Sequence, residues 1–377
     1  MSKTFDVCIR GEGVVGRTTA LLLAKERLRV ALCVKPAALE SAVKPEPQTA
    51  SEDVRAYALN RSSKQLLDAL RVWPTPDLAT PVSTMQVWGD DSGAVSFNAQ
   101  SAGQDALAWI VDVPTLEKNL FDACRFQSLI ETVQQPATAA LTIICEGQKS
   151  ASRSGFAVEW TRKPYPQKAI AARLTCSVPH GGAARQWFTG GEVLALLPMG
   201  GADGNLAGLV WSVSAERAEL LCGLPPADFC AAVMAVCGQH AGLLTLVSSC
   251  ATWPLSLSTA QHWVGPGWAL AGDAAHTVHP LAGQGLNLGL ADAACLAGVL
   301  AAREYWRGLG DEKLLRRYER ARKAEVAAVG AVTDGLHNLF AQSGGSWQAA
   351  RNWGMNGFEA SQGIKNWLTR RAAGLTG

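Results

Sequence analysis

The chain lacks the features that announce several protein classes. None of its ten cysteines forms a C-x-x-C pair, so neither a zinc ribbon nor a thioredoxin-type dithiol is expected. Its first residues have no basic segment leading into a long apolar stretch, so no secretory leader is expected. Apolar runs are short. The longest, such as residues 293–302, fall below the length of a bilayer span. There is no dense run of Lys and Arg, and 34 basic against 32 acidic residues leave a formal charge of +2, which argues against nucleic acid as a partner. Charged residues are 18% of the chain and hydrophobic ones 48%, the wrong balance for intrinsic disorder. What remains is 377 residues of core-forming material, enough for two to three domains or one composite. Cys8, Cys33, Cys145, Cys230 and Cys295 lie in apolar runs and are expected to be reduced, as in a cytoplasmic protein that is soluble or peripheral to a membrane.

Order along the chain begins with an apolar run at 5–9, glycines, a helical pattern at 18–25 and a second apolar run at 30–34, which together predict a βαβ unit. Residues 37–55 are rich in Pro, Ser, Glu and Ala and predict an irregular loop. Alternating polar and apolar residues at 81–108 (Met85, Val87, Val95, Phe97) and 156–215 (Trp160, Ile170, Leu174, Trp187, Phe188, Leu194, Leu196) predict strands of one antiparallel sheet beside the first unit. Trp268 to Asp273 has the pattern of a buried strand ending in a turn, followed by a glycine-rich loop and an alanine-rich helix from about Asn287 to Arg303. Beyond Leu314 the pattern is helical, and Trp347, Trp353 and Trp367 fall in that last region.

Two motifs carry chemistry. Gly11, Gly13 and Gly16 fit G-x-G-x-x-G between a strand and a helix: a tight turn, an open approach for a pyrophosphate, and a close helix–strand contact, with the helix N-terminus supplying partial positive charge. A dinucleotide is the expected ligand. The acid that should close the second strand and hold the ribose is replaced by Lys35, leaving Glu40, a phosphate contact for Lys35, or plain solvation as alternatives. The second motif runs from Gly272 and Asp273 through His276, His279, Pro280, Gly283, Gly285 and Asn287 to Asp292. A strand-tip Asp can hold sugar-like hydroxyls, and a glycine turn opening a helix presents backbone N–H groups to an anionic group. His276 and His279 have no third partner at suitable spacing, so no metal is expected. Ser150 and Ser152 lack a G-x-S-x-G frame, so a hydrolase is not expected.

The second motif resembles that of the single-component, FAD-dependent aromatic hydroxylases, which share the fold of para-hydroxybenzoate hydroxylase. Asp53-Val-Arg55-Ala-Tyr-Ala-Leu59, Trp109-Ile-Val-Asp-Val113, Tyr165-Pro-Gln167-Lys-Ala-Ile170 and Ala372-Ala-Gly374-Leu375 are similar to segments of the ubiquinone-biosynthesis hydroxylases, so the resemblance spans nearly the whole chain. The family's middle motif appears as Cys145-Glu146-Gly147, Ser150 and Arg153, with Glu where the family has Asp. Only 20 residues separate Leu120 from Leu141, about half the family's usual length there.

The resemblance implies an α/β chain with a discontinuous Rossmann-like FAD-binding domain (1–80, 110–155, 256–320), an inserted antiparallel β substrate domain (81–109, 156–255) and a helical C-terminus (321–377). It implies FAD, held by Gly11, Gly13, Gly16, Arg55, Glu146, Gly147, Arg153, Gly272, Asp273, Pro280, Gly283, Gly285 and Asn287, with NAD(P)H as co-substrate. The implied reaction is hydroxylation of a polyprenylated phenol or quinol with O2, on a lipid-tailed aromatic small molecule. Two alternatives stay open: a hydroxylase of the same fold for another aromatic, and a non-catalytic accessory member with weakened FAD binding. Contact with a membrane surface, through the face of Ile364, Trp367 and Leu368, packing of that helix on its own domain, contact with a biosynthetic assembly, and self-association also stay open. No catalytic acid or base is assigned.

Overall fold

The computed structural model describes residues 4–34, 53–89, 93–201, 203–278 and 284–341, the stretch 331–341 as helix backbone. Lys35, Glu40, His279, Pro280, Gly283 and the C-terminal tryptophans lie outside the described residues.

The first sheet has six strands in the spatial order Val264–Gly265, Trp268–Leu270, Ala139–Ile144, Phe5–Arg10, Val30–Cys33 and Ile130–Val133. All pairs but the first are parallel. Its central strands are continuous apolar runs, as a sheet covered on both faces requires: Val7, Cys8, Ile9, Val30, Ala31, Leu141 and Ile143 are fully buried. The helix Val14–Lys25 follows directly on the glycine turn and lays Ala20, Leu23 and Ala24 on the sheet. A third segment, the helix Val113–Phe126, starts where the Asp112 carboxylate accepts the Thr115 N–H at 3.1 Å, with a proline in the first turn. Both helices and Gln284–Ala301 contribute to one core.

The large sheet has the order His276–Thr277, Ala251–Ala260, Trp160–Cys176, Leu206–Ser214, Glu192–Pro198, Ala183–Thr189, Thr84–Trp88 and Ala94–Asn98, with Leu244–Leu246 beside Trp160–Cys176. All the strands predicted by alternation at 81–108 and 156–215 are here or at its border. One expectation needs correction: the sheet is not wholly antiparallel, because Ala183–Thr189 pairs with Thr84–Trp88 in parallel. The two segments arrive from distant parts of the chain, so no hairpin fixes their direction. The stacked rings of Trp88 and Trp187, 4.9 Å apart, sit at this junction.

A small third sheet, Ala56–Leu59, Ala108–Asp112 and Ala79–Val82, joins the two larger ones. It takes both ends of the segment expected to lie wholly in the substrate sheet. Val82 and Ile110 are drawn there because they share a core with Ala184 and Met199.

The helix Gln284–Ala301 has the length and apolar composition to cross a membrane, longer than the sequence runs suggested. It is a core helix: Leu288, Leu290, Leu296 and Leu300 are buried, and it carries a fully buried ion pair from Asp292 to Arg322 of the long helix Glu312–Ala341. All ten cysteines are free thiols. Burial pushes the Cys124 and Cys145 thiols up to about 12, the form suited to packing and not to nucleophilic attack.

Candidate cofactor site

The three glycines of the first turn do three different jobs. Gly11 has φ +116°, and a Cβ there would lie 2.4 Å from the Cys145 carbonyl oxygen. At Gly16 a Cβ would lie 2.0 Å from the Gly11 oxygen, so this glycine lets helix and turn touch. A Cβ on Gly13 would meet nothing within 4 Å. Gly13 therefore serves no internal contact and faces open space, as a residue kept small for an approaching ligand should. Gly13 is also the N-cap of the 12-residue helix Val14–Lys25 and gives it no side-chain cap. The first N–H groups of that helix are thus left for another acceptor. Gly13→Ala is expected to leave the apo-protein's melting temperature within a degree or two of the wild type and to weaken dinucleotide binding at least tenfold. Thermal melts beside a flavin titration check it.

The second turn meets the first directly. Gly272, at φ +63°, and Gly289 both abut Val15: a Cβ on Gly272 would lie 3.2 Å from a Val15 methyl, and one on Gly289 2.7 Å from it. The two glycine motifs, some 260 residues apart in sequence, are therefore in contact through one side chain. Asp273 follows in the turn. The residue is exposed, and its carboxylate accepts no hydrogen bond among the described residues. Desolvation pushes its pKa up; His276 opposes this and Asp292 adds to it. The sign of the shift has a consequence for stability. An acid with a raised pKa weakens the fold at pH values above its ordinary range, so Asp273→Asn is expected to raise the apo-protein's melting temperature at pH 7 while releasing flavin. Calorimetry and flavin occupancy on the same samples decide it; a variant with full occupancy would remove Asp273 from the site.

Arg55 and Asp273 both act electrostatically on the hydroxyl of the half-buried Tyr57. The Arg55 guanidinium is gripped by Asp53, with Nε 2.8 and 2.9 Å from its two oxygens, and donates to Glu117 at 3.3 Å. The Asp53 hydrogen bond pushes the Arg55 pKa up, outweighing desolvation, so the cation is permanent. Asn287, expected at the cofactor, is tied by its amide to a neighbouring stretch of the chain. Its Oδ1 accepts from Asn60 N–H (2.9 Å) and Ser63 Oγ (2.7 Å), and its Nδ2 donates to the Ala58 carbonyl at 2.8 Å. It pins the start of the second-motif helix to the Asp53–Ser63 segment, which positions Arg55 and Tyr57. At Gly285 a Cβ would meet nothing within 4 Å.

The middle motif completes the ring. Glu146 N lies beneath Gly11, 2.9 Å from where its Cβ would be. The Glu146 carboxylate turns inward and accepts from Ser150 Oγ (2.7 Å), Ser152 Oγ (2.6 Å) and Ser152 N–H (3.0 Å). These bonds outweigh desolvation and hold its pKa below the ordinary value. Gly147 stands at φ +73° with open space around it. Arg153 is buried, stacked 3.8 Å over Trp160, and donates to the carbonyls of Gln148 (2.5 Å) and Ala274 (3.2 Å). It ties the middle loop to the second turn and acts as a brace. Burial lowers its pKa, with Glu146 opposing.

All predicted site residues that are described gather at the C-terminal end of the parallel strands, where an α/β sheet binds ligands. A cavity of about 230 Å³ lined by Phe5, Arg29, Ser128, Leu129 and Glu131 is at the opposite end of Phe5–Arg10 and plays no part. Sequence reasoning missed Val15, Tyr57 and Asn60. Only Asn60 left a signal, an Asn directly before a helix, where its side chain accepts the Ser63 N–H. The residues fit an FAD: three open glycines (Gly13, Gly147 and Gly285), a helix start without a side-chain cap, a carboxylate without a partner among the described residues, and a fixed cation.

Comparison with known proteins agrees with this geometry. The profile of the FAD binding domain family matches residues 126–333, more than half of the chain. Ubiquinone hydroxylase UbiL of Rhodospirillum rubrum is 29% identical over 400 residues, which cover 99% of this chain and 90% of that protein. The 3-demethoxyubiquinol 3-hydroxylase of Escherichia coli is 28% identical over 397 residues, 98% of each. Among solved structures, PqsL of Pseudomonas aeruginosa in complex with 2-aminobenzoylacetate superposes with a TM-score of 0.75 at 19% identity, covering 94% of this chain and 100% of that one. The p-nitrophenol 4-monooxygenase PnpA of Pseudomonas putida superposes with a TM-score of 0.74 at 16% identity, covering 100% and 99%. At these identities the structures speak for the fold alone.

Proposed function

Since the chain belongs to the FAD binding domain family, we propose that it is an FAD-dependent monooxygenase that hydroxylates the ring of a polyprenylated phenol or quinol in ubiquinone biosynthesis, with NAD(P)H and O2. The observation that carries the FAD site is the contact of Val15 with Gly272 and Gly289, which makes one cradle of two motifs. The choice of substrate class is supported by the two hydroxylases that match end to end.

FAD, when bound, supplies the redox chemistry: it takes hydride from the nicotinamide donor and activates O2 for transfer of one oxygen atom to an electron-rich ring. The chain's own contribution is placement. The N–H groups opening Val14–Lys25 would receive the pyrophosphate, Gly13 leaving room for it. Asp273 would accept hydroxyl hydrogen bonds from the sugar-like part of the cofactor. Arg55, held rigid by Asp53 and Glu117, sets a fixed positive charge near it. The large sheet, with Trp160–Cys176 running from the middle loop, would form the wall that holds substrate and excludes water. The division into a discontinuous cofactor domain and a substrate domain is part of the same proposal.

The test has two parts. Purified protein incubated with FAD should show a flavin absorbance band and retain it through gel filtration. Deletion of the gene should cause a quinone precursor lacking one ring hydroxyl to accumulate. A protein that cannot be loaded with FAD would favour the accessory role, and loaded protein without a precursor defect would favour another aromatic substrate.

A further inference from the structure

Asp292 is fully buried and takes no part in the ring of cofactor groups, yet it holds the second turn. Its Oδ2 accepts from Gly272 N–H at 2.9 Å and from His276 Nε2 at 2.6 Å, and its Oδ1 accepts from Arg322 Nε at 2.7 Å. Arg322 is 3% exposed and also donates to the Leu288 carbonyl at 3.3 Å. The same stretch of the long helix sends three more groups to this region. Tyr318 Oη donates to the Leu270 carbonyl (2.8 Å), Glu319 accepts the Trp263 N–H (2.8 Å), and Lys323 donates to the Gln261 carbonyl (2.6 Å). Trp263 in turn stacks on His276 with centroids 4.8 Å apart. One segment, 318–323, therefore grips the strand entering the turn and the helix leaving it, and reaches the turn itself through Asp292.

We propose that Asp292 and Arg322 are positioning residues for the cofactor turn, and that through them FAD binding and the docking of the Glu312–Ala341 helix are reciprocally coupled. The inference rests on the FAD reading above. A buried ion pair is a poor way to gain stability alone, since apolar residues of similar volume commonly do as well. What the carboxylate does that an apolar side chain cannot is fix the direction of the Gly272 N–H, and with it the left-handed backbone that presents Asp273. Asp292 bears on the ring only by holding the Gly272 N–H, and Arg322 only by holding Asp292, so both act through the turn. Linkage then works in both directions: a ligand that needs the turn in this geometry must tighten the helix that imposes it.

The experiment uses the full chain. FAD affinity is measured by flavin fluorescence titration, stability by thermal melts, and backbone protection at 318–323 by hydrogen exchange with and without FAD. For the wild type, FAD should slow exchange in 318–323. The variant D292L/R322M, which leaves the Gly272 N–H and His276 Nε2 without their acceptor, should fold but melt below the wild-type temperature, bind FAD at least tenfold more weakly, and show no FAD-dependent protection there. Should that variant fail to fold, Arg322→Lys, which keeps the charge but loses the planar fork, serves instead, with the same loss of affinity expected at an unchanged melting temperature. Folded variants that bind FAD as the wild type does, or exchange at 318–323 that ignores FAD, would overturn the coupling. A wild type that binds no FAD would overturn the FAD reading and the coupling with it.

Discussion

Gly16→Ala is expected to yield insoluble or unfolded protein. The new methyl carbon would stand 2.0 Å from the Gly11 carbonyl oxygen, a backbone atom that itself belongs to a turn pressed on Cys145. No rotamer change relieves a clash between a Cβ and a main-chain oxygen. The first helix must move off the strand, and the fully buried Ala20 and Leu23 move with it. A forced separation of this kind costs at least about 3–5 kcal/mol, a large share of a typical domain's 5–15 kcal/mol. Soluble yield and circular dichroism of Gly16→Ala beside Gly13→Ala measure it directly. The contrast between two glycines three residues apart is the point: one should lose the fold, the other only its ligand. Equal behaviour of the two would mean that the turn is not shaped as described.

The second large effect is expected at Asp292. Asp292→Ala removes the partner of a buried guanidinium and strands Arg322, a change that costs about 3–5 kcal/mol. Its pH dependence follows from the direction of the shift. Desolvation raises the Asp292 pKa, but His276 and Arg322 together outweigh it and bring the value below the ordinary 3.8. A lowered carboxylate contributes its full stability above that ordinary value and loses it as pH falls through the folded value. Wild-type protein should therefore lose stability below about pH 4. Asp292→Asn, less stable at pH 7, should show a shallower acid limb; chemical denaturation between pH 3 and pH 7 checks both slopes.

Much of this site was legible because its parts are local. G-x-G-x-x-G is a strand, a turn and a helix within 21 residues, and Gly16 answers to the sterics of the turn itself, although Gly11 answers to the distant Cys145 carbonyl. Gly272 and Asp273 are equally local, and so is the Asn60 cap. What sequence could not show is what crosses the fold. Nothing in residues 146–153 says that Glu146 will satisfy itself on two serines, or that Arg153 will reach the Ala274 carbonyl. Nothing in Asn287 says that its amide will turn to Ala58, 229 positions earlier. The parallel pairing of Thr84–Trp88 with Ala183–Thr189 escaped for the same reason, since alternation gives a strand's faces but not its neighbour or direction. The partner of His276 was equally hidden: its ring nitrogen is engaged by Asp292 in a buried network.

The order of strands in the first sheet sets a schedule for biosynthesis. Phe5–Arg10 waits for Ala139–Ile144 on one side, and that strand waits for Trp268–Leu270. A nascent chain cannot finish this sheet until residue 270 has left the ribosome, while most of the large sheet, 160–260, is contiguous and can assemble sooner. Such late closure exposes apolar strands for longer and favours aggregation. Val15 can meet Gly272 only after that last strand docks, so a cofactor that needs both turns arrives as a closing stabiliser of the finished fold. Soluble yield in cells should accordingly rise with riboflavin supply.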